Sequence, residues 1–190
     1  LEELVGFEMF QGVMAVAKIP SPAPLPELLS KSAAPRLFAA ADGLSNAENI
    51  GVLVRNCVAF GVQALFVGET SASPYLRRAV RNSMGTVFQL PIYETTRLTD
   101  TLTELRNSGV RCIAAHPHTE QHTLYATDFR RDTCIVLGAE GNGISPAVLA
   151  ACDEAVAIPM PPTVDSLNVA SAAAVFFYEA QRQRTHARVS

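Results

Sequence analysis

Short apolar segments alternate with longer segments of helical periodicity through most of the chain, and this alternation restricts the fold more than any other feature. Strands are predicted at residues 36–40, 64–67, 87–92, 110–115, 134–137 and 156–158. Helices are predicted at residues 46–60, 74–82, 97–107, 146–151 and 166–184. Strands that are apolar on both sides must be covered on both sides, as in parallel sheets. The sequence therefore predicts an α/β fold with a mostly parallel sheet and helices on both faces.

The first 35 residues lack this alternation. Residues 11–17 (QGVMAVA) are compatible with a strand, and prolines at positions 20, 22, 24 and 26 predict a stiff, extended link. The chain also begins with Leu1 instead of Met. We therefore expect residues 1–35 to be a leading segment or linker that follows a further domain, and residues 36–190 to form one domain.

Charge and cysteine usage narrow the class of protein. The formal net charge is −3, which argues against a stand-alone nucleic-acid binder but not against an enzyme that meets RNA through a local patch. No apolar run approaches the roughly 18 residues of a membrane span. The cysteines are widely spaced, without a CxxC pair, and this favours buried, reduced thiols in a cytoplasmic protein. They are Cys57, Cys112, Cys134 and Cys152.

The first polar site lies in the helix predicted at residues 46–60 (NAENIGVLVRNCVAF). Ser45 and Glu48 stand three residues apart, as in a capping box. Asn49 and Arg55 lie off the apolar stripe that faces the core. A solvated polar face would explain these residues equally well when the helix is considered alone.

The second site follows the strand predicted at residues 134–137. Gly138, Gly141 and Gly143 form a G-x-x-G-x-G pattern, and Glu140 lies within it. This is neither the G-x-G-x-x-G order of dinucleotide-binding domains nor a phosphate-binding P-loop. A simple tight turn is the alternative. However, a carboxylate at the carboxyl end of a strand lies where α/β proteins bind ligands.

The third site opens the last predicted helix, whose sequence begins SLNVASAAAVFF. Ser166 and Asn168 are natural helix caps, and capping alone would account for them. The following turns are almost wholly apolar, which predicts burial on all sides. In a domain of this size such burial indicates a subunit interface as well as a core contact.

Together the three segments resemble the signature motifs of the SpoU family, in the SPOUT superfamily of RNA methyltransferases, from about residue 42 to residue 184. The motifs that carry this resemblance are NxxNxGxxxRNxxxFG, GxEGxGIS followed by CDxxxxIPM, and SLNVA. Residues 7–15 (FEMFQGVMA) resemble the join that follows a small RNA-binding domain in many members. The resemblance implies a deep trefoil knot in the C-terminal part of the sheet, a rare exception among folds.

The resemblance also implies the activity and the partners. The reaction would be methyl transfer from S-adenosylmethionine to a ribose 2′-hydroxyl of structured RNA, with rRNA favoured over tRNA. No metal would be needed, and the active form would be a homodimer joined through the knotted region and the C-terminal helix.

The site residues are implied position by position. The catalytic set would be Arg55, Asn49, Glu140, Ser166 and Asn168. The donor would be held by Leu137, Gly138, Ile158, Met160, Ser166, Leu167 and Asn168, with Ala115 and His116 forming part of the wall. RNA would be contacted by Arg55, Arg77, Arg78, Arg81 and Ser83. A basic, solvated helix face is the alternative for the three arginines at positions 77, 78 and 81.

Arg55 has two candidate roles. A ribose hydroxyl is a poor nucleophile until its proton is removed or polarised, and the family arginine is often assigned as the base. Arginine keeps its proton in proteins, so binding of the adjacent phosphate and stabilisation of the developing oxyanion is the better role. The chain departs from many members at Pro161 and Pro162, which stiffen the loop before the third motif.

Other functions are compatible with parts of the sequence. A catalytically silent RNA-binding or scaffold member of the same fold is the main alternative, although the complete set of polar motif residues argues against it. A nucleotide-dependent oxidoreductase is disfavoured by the glycine order. His116, His118 and His122 with Glu120 have spacings seen in zinc sites, but a polar surface loop is the preferred interpretation.

Overall fold

One parallel sheet organises the fold. The computed structural model describes residues 16, 18–21, 24–120 and 122–186, so the strand predicted at residues 11–17 lies outside the described residues except for Val16. The strands are β1 Leu37–Asp42, β2 Ala64–Val67, β3 Ile92–Glu94, β4 Arg111–Ala115, β5 His122–Thr123, β6 Thr133–Gly138 and β7 Glu154–Ala157. They are ordered β3-β2-β1-β6-β4-β7-β5, and each of the six pairings between neighbours is parallel.

Helices cover both faces of this sheet, as predicted. They are α1 Leu25–Lys31, α2 Ala47–Ala59, α3 Arg77–Asn82, α4 Leu98–Asn107, α5 Pro146–Ala151 and α6 Val169–His186. One apolar cluster joins α2, α3 and α6 to one face of β1 and β6. A second cluster joins α1, α4 and α5 to the other face of the same strands. Both central strands are therefore buried on their two sides, which explains their continuous apolar sequences.

Two elements predicted in the N-terminal half of the chain are wrong. Residues 87–92 do not form one strand, because Thr86–Phe88 is a 3-10 helix and β3 begins only at Ile92, after Pro91. Val87 and Ile92 are both buried, so the apolar pattern correctly indicated burial but did not indicate a strand. The proline-rich link is also wrong at its end, since α1 begins directly after Pro24 and carries Pro26 in its first turn.

Helix α1 belongs to the folded domain. Leu25, Leu28 and Leu29 are buried in the cluster that covers the second face of the sheet. Proline is compatible with a first helical turn, because the N–H that it lacks has no partner within the helix there. The described residues before position 36 therefore include a helix that packs on the sheet.

The helix starts at α2 and α6 also differ from prediction. Asn46 caps α2, with its side chain accepting the Glu48 N–H at 2.8 Å, so the capping box predicted from Ser45 is wrong. Helix α6 begins at Val169, three residues beyond Ser166. Its burial on all sides is wrong for the single chain, because Val175 and Tyr178 are exposed.

Cysteine burial follows the prediction for three of the four thiols. Cys57, Cys112 and Cys134 are buried, Cys152 is partly buried, and all four are free. Burial raises the pKa of the Cys57 thiol and raises that of Cys152 to about 12. The thiols of Cys57 and Cys152 are consequently protonated and unreactive at neutral pH. None of the helices in the described residues is both long and apolar enough to cross a bilayer.

Arg184, near the end of α6, binds the two segments that lead into β1 and β6. Its Nε donates to the Phe129 carbonyl oxygen at 2.8 Å, and its terminal nitrogens donate to Pro35, Arg36 and Arg131 carbonyl oxygens at 2.8–2.9 Å. Burial lowers the pKa of Arg184 to about 10, which leaves the guanidinium protonated at neutral pH. The planar fork of arginine suits this arrangement of acceptors.

Arg184→Met should lower the free energy of unfolding by about 3 kcal/mol, because four carbonyl groups lose a charged donor. Urea denaturation measures the change. Arg182→Met is the matched control on the same helix. In its ion pair with Glu179 the Arg182 side chain is 46% exposed to solvent, so the pair should contribute less than about 1 kcal/mol. Equal losses for the two variants would contradict this role of Arg184.

Candidate active site

A tight turn closes over the end of β6. The backbone groups of Ala139 and Gly143 exchange two hydrogen bonds of 3.0 and 2.9 Å. A Cβ atom on Gly138 would lie 2.3 Å from both the Gly143 carbonyl carbon and the Ile144 nitrogen, so only glycine fits there. Gly143 has a φ of +67°, in the left-handed region that favours glycine. The turn therefore requires glycine at position 138 for lack of space and at position 143 for its backbone conformation.

Asp42 supports the turn from the neighbouring strand. It is paired in register with Gly138, is buried, and accepts the Ser145 backbone N–H at 2.7 Å through its Oδ2. Sequence reasoning did not single out Asp42. The available signal was a carboxylate that directly ends a wholly apolar strand.

The turn forms one wall of a cavity of about 440 Å³ beyond the carboxyl ends of β4, β6 and β7. This is within the size range of small-molecule sites, and its position at strand carboxyl ends is typical of open parallel sheets. All seven residues predicted to hold the donor line it, namely Leu137, Gly138, Ile158, Met160, Ser166, Leu167 and Asn168. Ala115 and His116 also line it, as predicted. The structure thus brings together three segments that are distant in sequence.

His116 leaves a polar atom without a partner at this cavity. Its Nδ1 is buried and forms no hydrogen bond with the described residues. His118 pairs with Asp165 at 3.6 Å at the mouth of the cavity, and His122 lies in β5 and not in a loop. Within the described parts of the chain, no group of three His, Cys, Asp or Glu side chains could hold a metal ion.

Three of the predicted catalytic residues meet in one hydrogen-bonded cluster. The Asn168 side-chain amide donates to Glu140 Oε1 at 2.6 Å and to Asn49 Oδ1 at 3.2 Å. The Asn168 Oδ1 accepts the backbone N–H groups of Ala170 and Ser171, at 3.0 and 3.3 Å, and so caps α6. Asn168 therefore joins the glycine turn, α2 and the start of α6. Ser166 lines the adjacent cavity.

Arg55 is not brought into this cluster. It is exposed on α2 and is not among the residues that line the cavity. It follows Asn49 by six residues, which places it about 120° around the helix. Asn49 and Asn56 face α6, where Asn56 donates to the Ala170 carbonyl oxygen at 2.7 Å. Arg55 instead shares a face with Gly51, four residues before it.

The basic helix α3 packs on that face of α2. A Cβ atom on Gly51 would lie 2.4 Å from the Ala79 carbonyl oxygen, so the two helix backbones approach closely. The arginines predicted to contact RNA, Arg77, Arg78 and Arg81, are all exposed on α3. Ser83 is different, because it is fully buried and its hydroxyl donates to the Val80 carbonyl oxygen at 2.8 Å. Its side chain is not available to RNA in this structure.

An open parallel sheet with a ligand-sized cavity at the carboxyl ends of its strands, a closed glycine turn and an Asn–Glu–Asn cluster is typical of α/β domains that bind small molecules. Residues 36–178 match the SpoU rRNA Methylase family, and the chain belongs to that family.

Known relatives agree with this assignment. An uncharacterized tRNA/rRNA methyltransferase of Mycobacterium tuberculosis is 35% identical over 189 residues, which make up 98% of this chain and 65% of that protein. The 23S rRNA (guanosine-2'-O-)-methyltransferase RlmB of Ralstonia nicotianae is 34% identical and is covered to 74%, by 97% of this chain. The chain thus spans about two thirds of the length of the mycobacterial relative.

A solved structure shows the same fold. The SpoU methyltransferase AviRb from Streptomyces viridochromogenes, in complex with the cofactor AdoMet, superposes with a TM-score of 0.79 at 29% identity. The match covers 88% of this chain and 64% of that one.

Asn168→Ala should lower the free energy of unfolding by more than the matched variant Asn46→Ala. Both lose a helix cap, at a cost of about 1 kcal/mol each, but Asn168→Ala also loses the bonds to Glu140 and Asn49. Asn168→Asp keeps the cap, yet places a second carboxylate beside Glu140, and should be no more stable than Asn168→Ala. Thermal unfolding of the three variants measures this order. An Asn168→Asp variant as stable as the unaltered protein would contradict it.

Proposed function

We propose that this chain is the catalytic domain of an S-adenosylmethionine-dependent RNA methyltransferase that acts on a ribose 2′-hydroxyl. The cavity beside the glycine turn carries the proposal, because it gathers every residue that the motifs assign to the donor. The RlmB relatives, which are 23S rRNA 2'-O-methyltransferases, and the AdoMet-bound AviRb structure support it. The same relatives favour rRNA over tRNA as the substrate.

The lining of the cavity fits the donor. Leu137, Ile158, Met160 and Leu167 offer apolar surface, and the turn offers backbone groups at Gly138. The buried Nδ1 of His116 is a polar atom that a ligand with a complementary group would satisfy. S-adenosylmethionine supplies an activated methyl group when bound there. The residues of this chain must then orient the acceptor oxygen and exclude water.

Glu140 and Asn168 suit the orienting role. Each is fixed by the other at 2.6 Å, and Asn168 is further fixed by the cap of α6. Such preorganised groups lose little entropy when the acceptor arrives. Ser166, in the cavity wall, completes the set.

Arg55 suits the binding of a phosphate next to the acceptor ribose. A guanidinium binds phosphate through two parallel hydrogen bonds and stays protonated, so it favours the developing oxyanion without acting as the base. Arg55 lies on a different face of α2 from the Asn168 cluster. A second copy of the chain would therefore complete the site by supplying its Arg55. The exposed side chains of Tyr178 and Val175 on α6 suit a homodimer interface.

The knot remains part of the proposal. The loops after β4, β6 and β7 all converge on one cavity, and residues 158–168 cross beside the turn at residues 138–143 before α6 begins. A chain threaded through this region would form the trefoil knot. Free, buried thiols suit a cytoplasmic location.

Titration calorimetry with S-adenosylhomocysteine tests the donor site. The unaltered chain should bind about one ligand per subunit, and Gly138→Ala should weaken binding about 10-fold or more, because the new Cβ displaces the turn. Gly109→Ala is the matched control. It likewise strains a glycine that the backbone requires, because Gly109 has a φ of +82°, but it lies after α4 and outside the cavity. Absence of binding by the unaltered chain at millimolar ligand would overturn the proposed function.

Arg55→Ala and Arg55→Lys separate the two roles of the arginine. A phosphate anchor predicts that Arg55→Ala reduces the salt dependence of RNA binding by about one unit of slope, and that Arg55→Lys largely restores it. Methyl transfer from tritiated S-adenosylmethionine to a 23S rRNA transcript should fall about 100-fold or more in Arg55→Ala. If Arg55→Ala loses methyl transfer but keeps the normal salt dependence of RNA binding, the result would instead support Arg55 as the base. Donor binding without any transfer by the unaltered chain would support the silent scaffold.

A further inference from the structure

Two large apolar side chains extend into solvent from the segment that follows α3. Met84 is 73% exposed and Phe88 is 62% exposed, whereas their neighbours Ser83 and Val87 are buried. Exposed side chains of this size in a short, ordered segment are typical of a contact surface. No element of the described residues covers them.

The backbone holds Met84 in place at an energetic cost. Its φ is +53°, the one positive value among the described residues other than glycine. The Met84 N–H donates to the Arg81 carbonyl oxygen at 3.2 Å, and Ser83 is fixed by its hydroxyl and by the Thr86 N–H, which donates to its carbonyl oxygen at 3.1 Å. A left-handed residue of this kind costs about 1 kcal/mol or more and persists where the surroundings enforce it, often at functional sites.

The charge around this segment has one sign. Residues 70–93 contain three arginines and no acidic residue, in a chain whose net charge is −3. Arg78 and Arg81 are exposed immediately before Met84. A positive surface with an exposed aromatic ring is the combination that binds single-stranded nucleic acid.

The segment also adjoins the proposed phosphate anchor. Gly51 contacts Ala79 and Asn82 of α3, and Arg55 follows Gly51 by one helical turn on the same face of α2. The 3-10 helix that ends at Phe88 packs against α2 as well. An RNA strand with a phosphate bound by Arg55 would therefore pass close to Phe88.

We propose that the side chains of Met84 and Phe88, the stacking platform, bind an unpaired nucleobase next to the target ribose. This inference rests on the proposed function and deepens it, because it limits the substrate to RNA with an unpaired base at that position. A base offers flat apolar faces to Phe88 only when it is out of a helix, whereas a duplex keeps those faces in its own stack and presents phosphates. The arginines can bind the phosphates of both single-stranded and duplex RNA, whereas the stacking platform can bind only an unpaired base.

Fluorescence anisotropy with a labelled oligoadenylate and a labelled RNA duplex, over a series of salt concentrations, tests the platform. Phe88→Ala and Phe88→Leu should weaken oligoadenylate binding about 5-fold or more with an unchanged salt slope, and Phe88→Trp should restore it. Duplex binding should stay unchanged in all three. Arg81→Ala should instead reduce the salt slope by about one for both RNAs.

Tyr125→Ala is the matched control. Tyr125 is 74% exposed but follows β5, at the opposite edge of the sheet from β3, so its loss should leave both affinities unchanged. Circular dichroism and the donor titration on the same samples show that each variant is folded. The platform is overturned if oligoadenylate affinity survives Phe88→Ala, if duplex binding falls equally, or if the unaltered chain binds no oligoadenylate at low salt. Dissociation of a dimer by Phe88→Ala, without a change in RNA affinity, would assign the surface to contact between copies.

The donor titration separates this inference from the proposed function. If the unaltered chain binds S-adenosylhomocysteine and Phe88→Ala has no effect on RNA, only the platform fails. If the unaltered chain binds no donor, the proposed function fails whatever Phe88 does.

Discussion

The closure of the glycine turn onto the end of β6 is the constraint on which the site depends. Gly138 has no space for a Cβ atom, and Ala139 and Gly143 hold the turn shut with two backbone hydrogen bonds. Asp42 fixes the far side of the turn through Ser145, which couples it to β1. Because the turn cannot shift without breaking these contacts, the cavity wall and the position of Glu140 are set by the sheet itself.

Helix α2 divides the proposed machinery into two sides. Its Asn49 and Asn56 face α6 and the glycine turn, so this side is tied to the donor cavity. Its Gly51 and Arg55 face α3, the basic helix. The helix packs between the two, and each face is held by contacts that do not depend on a ligand. Helix α2 thus carries the donor-side cluster on one face and the proposed phosphate anchor on the other.

The errors of sequence interpretation have specific physical causes. At residues 87–92, Val87, Leu90 and Ile92 are all buried, but a 3-10 helix satisfies the same apolar pattern as a strand. At Leu25–Lys31 the prolines suggested an extended link, although proline in a first turn leaves a helix intact. At α2 the choice between Ser45 and Asn46 as cap depended on a hydrogen-bond geometry that spacing alone does not specify.

Local sequence patterns were enough to predict the covered parallel sheet and the glycine turn after β6, and the motif resemblance predicted seven residues that are among those lining the cavity. These follow from local apolar runs, from glycine positions and from motifs, all of which are readable along the chain. Three-dimensional packing was needed to show that Asn168 binds Glu140 and Asn49, and that Asp42 holds the turn. The same is true of the burial of Ser83 and of the distance of Arg55 from the cluster. Those facts depend on strand register and on the rotation of packed helices. Both are set by long-range packing, for which neighbouring residues in the sequence carry no signal.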